Sequence, residues 1–485
     1  MPHPFDPYAD AGYAAAYAAF LESHPGYDAR GIDALRADDY ARLDDGAQTY
    51  LDSTGAGLYG ISQVQRHHEV LASGVFGNPH SHNPSALAST ALVERARAAV
   101  LEHLNADPAE YDVVFTGNAS GALKLIGEAF PFTPESTYVL LYDNHNSVNG
   151  IREFARRAGA RTVYVPVRPP ELRLDADLLE RALTEPCSTG APRLFAYPAQ
   201  SNFSGVKHPL EWVGRARELG WHTVLDAAAF TPTNRLDLSA VRPDFVPLSF
   251  YKMFGYPTGA GALVARHEAL RVLCRPWFAG GTITLASVQG ESWYRLAPGH
   301  AGFEDGTPDF LGLPAVNIGL EHLDRVGVEA IHARVMTLTE WLLAEMGAVS
   351  HSNGAPLVRI FGPTTTETRG ATVAFYLLNP GGEVYEVERV ERLAGDVGIS
   401  LRTGCFCNPG DGEVAHEISR DEMASCFEEP DVPVTLNDCQ RIIHDHTGKV
   451  PNTIRVSLGI ASNFADVWRF MRFVEGFRER DAADV

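Results

Sequence analysis

Lysine is nearly missing from this chain. Its 485 residues hold 36 arginines but only four lysines, Lys124, Lys207, Lys252 and Lys449. Chemistry that needs a primary amine is therefore confined to four positions. Cysteine is sparse as well: Cys187, Cys274, Cys405, Cys407, Cys426 and Cys439 are all there are. Six in a chain of this length are too few for a secreted disulfide scaffold, which leads us to expect a reduced, cytoplasmic protein. Blocks of basic residues are absent and the formal net charge is -21, which excludes a nucleic-acid surface. No apolar run reaches about 18 residues, so no membrane-spanning helix is expected. The first Lys or Arg is Arg30, so the positive n-region of a secretory signal is lacking too. The early Ala/Tyr/Phe run reads instead as a short amphipathic helix. Tandem repeats and low-complexity linkers are also missing.

What is present is an ordinary globular composition, 45% hydrophobic and 21% charged, at a length that implies two or more domains. From about 85 to 265 the chain alternates helical periods with short apolar runs. "ALASTALVERARAAVLEHLNA" reads as a helix, "YDVVFT" as a strand and "NASGALKLIGEAF" as a helix, and "TYVLLY", "RTVYVPV", "RLFAYP" and "WHTVLD" follow as further strands. Such alternation predicts an α/β fold with a mostly parallel central sheet sandwiched by helices. Ligands in such sheets gather at the carboxyl ends of the strands. After about 330 a long helix, "VEAIHARVMTLTEWLLAEM", and the strand "ATVAFYLL" indicate a smaller α+β C-terminal domain. We place a large domain at 46–328 and a small one at 329–485, with 1–45 packing against the latter. The acidic stretch 408–450 reads as an irregular insertion.

Three features fall where strands end. "TGNASGALKL" (116–125) is a Gly-bounded turn into a helix, able to cradle a phosphate or simply to cap the helix. It matches neither the P-loop nor the dinucleotide glycine pattern. Asp226 in "VLDAAAF" either caps the next helix or holds a protonated pyridine nitrogen. Lys252 in "SFYKMFGYPTGAG" sits among aromatic neighbours rather than on a polar stretch. Desolvation there would lower its pKa and free the amine for attack on an aldehyde. A phosphate cradle, a strand-end Asp and then a Lys, with His145 of "DNHNSVNGIRE" to stack on a ring, is the order pyridoxal 5′-phosphate requires.

"RTGCFCNPG" (402–410) sets Cys405 and Cys407 one residue apart in a glycine-bounded turn. Four readings are open. The pair joins Cys426, Cys439, His444 and His446 as zinc ligands, forms a strained disulfide, is merely buried, or carries a nucleophile whose thiolate is favoured by Arg402.

Taken together, "YLDSTGAGLYG", "FGNPHSHNPSA", "VVFTGNASGALKLIGEAFPF", "NHNSVNGIREFA", "YPAQSNFSGVKHPLEW", "LDAAAF", "FEDGTPDFLGLPAV" and "LRTGCFCNPG" resemble the class V, fold-type I pyridoxal phosphate enzymes. More narrowly they resemble the aminotransferase-like domain of molybdenum cofactor sulfurases, relatives of cysteine desulfurases. The resemblance implies that Lys252 links to the cofactor aldehyde, Asp226 holds the ring nitrogen, His145 stacks on the ring and Asn202 reaches the ring hydroxyl. Ala119, Ser120 and Ser249 would bind the phosphate, with Thr282 added from across a homodimer interface. Arg455 would take the substrate carboxylate and Cys407 the sulfur, with Cys405 assisting or relaying it. The implied substrate is L-cysteine, the product alanine and the sulfur acceptor unassigned; no resident metal is implied. Rival readings are β-elimination (C–S lyase), transamination or epimerisation of another amino acid, a cofactor-less scaffold, and a zinc-binding interaction protein.

Overall fold

A computed structural model describes residues 12–27, 31–186, 188, 190–427 and 435–480. Cys187, the first eleven residues of the N-terminal segment, and 428–434 within the 408–450 stretch lie outside the described residues.

Seven strands form the central sheet: Tyr111–Thr116 (β1), Thr137–Leu141 (β2), Arg161–Val165 (β3), Arg193–Pro198 (β4), His222–Asp226 (β5), Phe245–Ser249 (β6) and Gly261–Arg266 (β7). Their order is β1-β7-β6-β5-β4-β2-β3. Only β7 runs against its neighbours; the remaining pairings are parallel. The strands are short, continuous apolar runs because both faces are covered. Alternate side chains serve different cores. Val113, Val139, Phe195, Leu225 and Val264 face helices Pro84–His103, Glu211–Glu218 and Pro314–Val326. Val114, Leu140, Ala196, Val224 and Leu263 face helices Ala119–Ala129 and Ile151–Arg157. The parallel strands thus deliver Thr116, Leu141, Pro198, Asp226 and Ser249 to a common edge.

A second, antiparallel sheet is built from Val358–Phe361 (β8), Thr372–Leu377 (β9), Arg402–Gly404 (β10) and Thr453–Ser457 (β11), in the order β8-β9-β11-β10. Its core is continuous with the first face of the large sheet through Val335, Phe375, Ile454 and Phe470. The early helix Tyr13–Ser23 lies on this part of the molecule, Phe20 stacking on Phe464 at 4.5 Å. Buried Arg36 joins it with a 2.7 Å ion pair to Asp466.

Two expectations are corrected. The 408–450 stretch is not irregular: its described residues form helices Pro409–Ala415, Arg420–Ala424 and Leu436–Thr447. The last two bury little, so their apolar periodicity is faint. Their signal is the capping boxes Ser419/Glu422 and Thr435/Asp438. The cysteines are not all reduced either, because the last two helical segments bring Cys426 and Cys439 into a disulfide. Among the described residues no helix is long and apolar enough to cross a membrane.

Candidate active site

The loops leaving β1, β2, β4, β5 and β6 enclose one cavity, lined by Asn118, Ala119, Ser120, His145, Gln200, Asn202, Asp226, Ser249 and Lys252. Each side chain is set by its local structure. Asn118 caps the helix Ala119–Ala129 by accepting from Gly121 N, aiming the helix N-terminus into the cavity. Ala119 N donates to Ser249 Oγ at 2.9 Å, and Ser120 Oγ meets Ser147 Oγ at 2.6 Å. Backbone amide, hydroxyls and helix dipole converge as phosphate binding needs. Gly261 on β7 is required behind them, since a Cβ there would lie 2.5 Å from Asn118 Cα.

Asp226 ends β5 buried, its Oδ1 accepting from Ala228 N at 3.0 Å. The carboxylate thus closes a turn rather than capping a helix, and it lines the cavity. His145 opens the one-turn helix Asn146–Asn149 with Nδ1 accepting from Ser147 N at 3.1 Å, which fixes the ring. Burial, then the Lys252 charge, push its pKa down against the pull of Asp226, which leaves a neutral imidazole suited to stacking.

Lys252 stands in helix Phe250–Phe254, which starts directly after Ser249. That helix is clamped by 57–59: a Cβ on Gly57 would lie 2.7 Å from Lys252 O, and one on Gly255 would lie 2.3 Å from Tyr59 N. Burial pushes the Lys252 ammonium down from its usual value; Asp226 opposes this, and Arg455 and Arg402 add to it. A less basic amine in reach of a carbonyl is the arrangement imine chemistry uses.

The second sheet brings charged groups close to Lys252. Arg455 on β11 is buried, with Nη2 2.8 Å from Asp52 Oδ1 and Nη1 donating to Asn202 O at 2.9 Å. Arg402 on β10 grips Asp52 Oδ2 through Nε at 2.9 Å and Nη2 at 2.7 Å. One carboxylate thus orients two guanidiniums. The exposed Cys407 follows β10, close enough to enter the electrostatic environment of Lys252, while Cys405 is half-buried. Neither is bonded to the other, and the Cys426–Cys439 bridge withdraws two sulfurs from the zinc reading.

Two of the expected site residues have other partners within the chain. Asn202 lines the cavity, but its Nδ2 donates to Phe406 O at 2.7 Å, tying it to the thiol turn. Thr282 is fully buried outside the cavity, with Oγ1 donating to Ala279 O and accepting from Ala279 N. Within one chain it is not part of the site. Sequence reasoning missed Gln200, two residues past β4, and Asp52, although both stand in stretches already singled out, "YPAQSNFSG" and "YLDSTGAG".

The family model of class-V aminotransferases matches residues 49–470. The chain belongs to the class-V aminotransferase family. That family uses pyridoxal 5′-phosphate, and the donor set fits the cofactor: an amine, a buried carboxylate, a fixed imidazole and a helix N-terminus with hydroxyls. Molybdenum cofactor sulfurase of Solanum lycopersicum is 35% identical over 474 residues, 92% of this chain and 57% of that protein. The human molybdenum cofactor sulfurase is 36% identical over 480 residues, 95% of this chain and 53% of its own length. This chain spans little more than half the length of these relatives. Among solved structures, the apo cysteine desulfurase of Thermococcus onnurineus aligns with a TM-score of 0.73 at 23% identity, covering 92% of this chain and 97% of that one. That likeness establishes the fold.

Proposed function

We propose that this class-V enzyme is a pyridoxal phosphate-dependent cysteine desulfurase, taking sulfur from L-cysteine onto Cys407 as a persulfide and releasing alanine. The observation that carries the reading is an unbonded thiol on a turn docked at the wall of the cavity that holds Lys252.

When bound, pyridoxal phosphate supplies an electron sink conjugated to the substrate Cα. Lys252 anchors the cofactor and then moves the proton at Cα. Asp226 keeps a proton on the ring nitrogen, and His145 covers the ring face. Arg455, oriented by Asp52, receives the substrate carboxylate. The Cys407 thiolate attacks the substrate sulfur: an S–S bond forms, the Cβ–S bond breaks, and its electron pair stays on carbon, where protonation completes alanine. Each sulfur is oxidised by one level while Cβ is reduced by two, so no outside oxidant is needed. A thiol reductant then releases sulfide, standing in for the unassigned acceptor.

The site is completed in a homodimer in this reading. Thr282 adjoins the hairpin Ile283–Ala286/Tyr294–Leu296, around which Trp277, Phe278, Leu285, Val288 and Trp293 are exposed, an apolar surface suited to a second copy. The test is alanine and sulfide formation from L-cysteine with reductant, in the wild type and in Cys407→Ser. Alanine formed by the wild type and lost in the variant supports the reading. A protein that carries the cofactor yet ignores cysteine ends it and turns the search to other amino acids.

A further inference from the structure

The thiol turn is held in an unusual shape. Phe406 and Cys407 both have positive φ, 54° and 56°, two consecutive non-glycine residues in the left-handed region. Such backbone persists only where its surroundings over-determine it. Here the surroundings belong to the large sheet. Asn202, after β4, donates to Phe406 O, and Asn146 N, after β2, donates to Cys407 O at 2.7 Å.

The third tie is Asn408, whose side chain is fully buried. Its Nδ2 donates to Asp143 O at 2.9 Å and to Asn202 Oδ1 at 3.1 Å, while its Oδ1 accepts from Asp411 N and caps the helix Pro409–Ala415. One amide therefore joins the thiol turn, its following helix and both loops of the sheet edge. Below it, Asp411 Oδ2 accepts from Ser201 Oγ at 2.5 Å, so the helix is bonded to the loop after β4 as well. Gly410 completes the fit: a Cβ there would lie 2.0 Å from Tyr142 O, so the first helical turn sits directly on the exit of β2.

We infer that Asn408 is the latch of the thiol turn: a positioning residue that holds Cys407 docked on the cofactor cavity and whose release frees the turn to pass sulfur on. The reaction it serves is the one proposed above. The latch itself is a property of the fold and is read without turnover.

Asn408→Ser separates the two halves of the residue. Serine keeps a capping oxygen for Asp411 N but has no amide to reach Asp143 and Asn202. Losing two hydrogen bonds of ordinary net strength shifts an opening equilibrium by roughly tenfold or more. In the cofactor-loaded protein, amide hydrogen exchange in 144–149 and 402–411 is expected to rise by about that factor, with exchange elsewhere unchanged. A thiol no longer held in register lowers kcat for alanine by about 100-fold, with KM for L-cysteine and the cofactor's visible absorbance unchanged. Gly410→Ala, which forces the helix off Tyr142 without touching Asn408, is expected to reproduce both effects and serves if the serine variant does not fold. Unchanged exchange in these segments overturns the latch. Faster exchange with unchanged kcat overturns the positioning role, and faster exchange throughout the large sheet with loss of cofactor absorbance overturns it in favour of a general structural role. If the wild type makes no alanine, the desulfurase reading falls, and the exchange comparison still decides the latch.

Discussion

The lining of the cavity and the thiol turn bonded beside it, here the cofactor wall and the thiol wall, are built by different means. The cofactor wall comes from consecutive strand ends, each a short apolar run followed by a polar residue within a few positions. The thiol wall comes from pairings far apart in the chain: Asn408 with Asp143, 265 positions away, and Asn202 with Phe406, 204 positions away. Local pattern suffices to find the first. Nothing local marks the second, because Asn, Asp and Ser next to Pro and Gly read as turn residues wherever they occur. The Cys-Phe-Cys sequence shows where two thiols stand, while the network that gives the turn its shape becomes visible only once two sheets are placed against each other.

The same distinction governs what was legible elsewhere. The strands "YDVVFT" and "RLFAYP" coincide with β1 and β4, since runs buried on both faces leave no ambiguity. Lys252, Asp226, His145, Ala119, Ser120 and Ser249 meet in one cavity for the same reason: each directly ends or follows a strand or opens a helix. Asp52 was hidden because its partners, Arg402 and Arg455, stand 350 and 403 positions away. Thr282 remains apart from the cavity within one chain, and its expected contribution needs a second chain.

The largest expected effect lies in the cofactor wall. Lys252 is the cavity's amine, and Lys252→Ala is expected to remove covalently held cofactor absorbance and lower turnover by at least about 10²–10⁴-fold, the range of a lost general base. Cofactor that stays imine-linked in this variant would assign the linkage to another lysine and break the contrast between the walls.

Asp52→Asn probes the thiol wall. It removes the charge shared by Arg455, buried, and Arg402, half exposed, and leaves the Arg455 guanidinium without its counter-ion. Breaking a buried pair from one side costs about 3 kcal/mol, which would appear as a lower urea midpoint at unchanged m. An unchanged midpoint would mean that the β10–β11 contacts to residue 52 are dispensable and the thiol wall stands on the Asn408 network alone.

The smallest effect is the most specific to that network. Burial raises the Asp411 carboxyl well above the usual carboxylate range, and neighbouring Asp143 adds to this, against the hydroxyls of Ser201 and Ser204. Among the described residues its Oδ1 has no hydrogen-bond partner. A folded-state pKa above the unfolded value of about 3.9 means the group's contribution to stability is fully present below about pH 4 and is lost as pH rises through the folded value. The amide introduced by Asp411→Asn mimics the protonated acid in shape and carries nothing to ionise. Relative to the wild type, the variant is expected to gain stability as pH is raised from about 4 towards 8, with little difference at the acid end. The measurement is the urea midpoint of both proteins across that range. A variant that instead loses stability most at high pH would show that Asp411 is ionised in the fold and held by its hydroxyl donors, which would make the base of the latch an anion site rather than a neutral clasp.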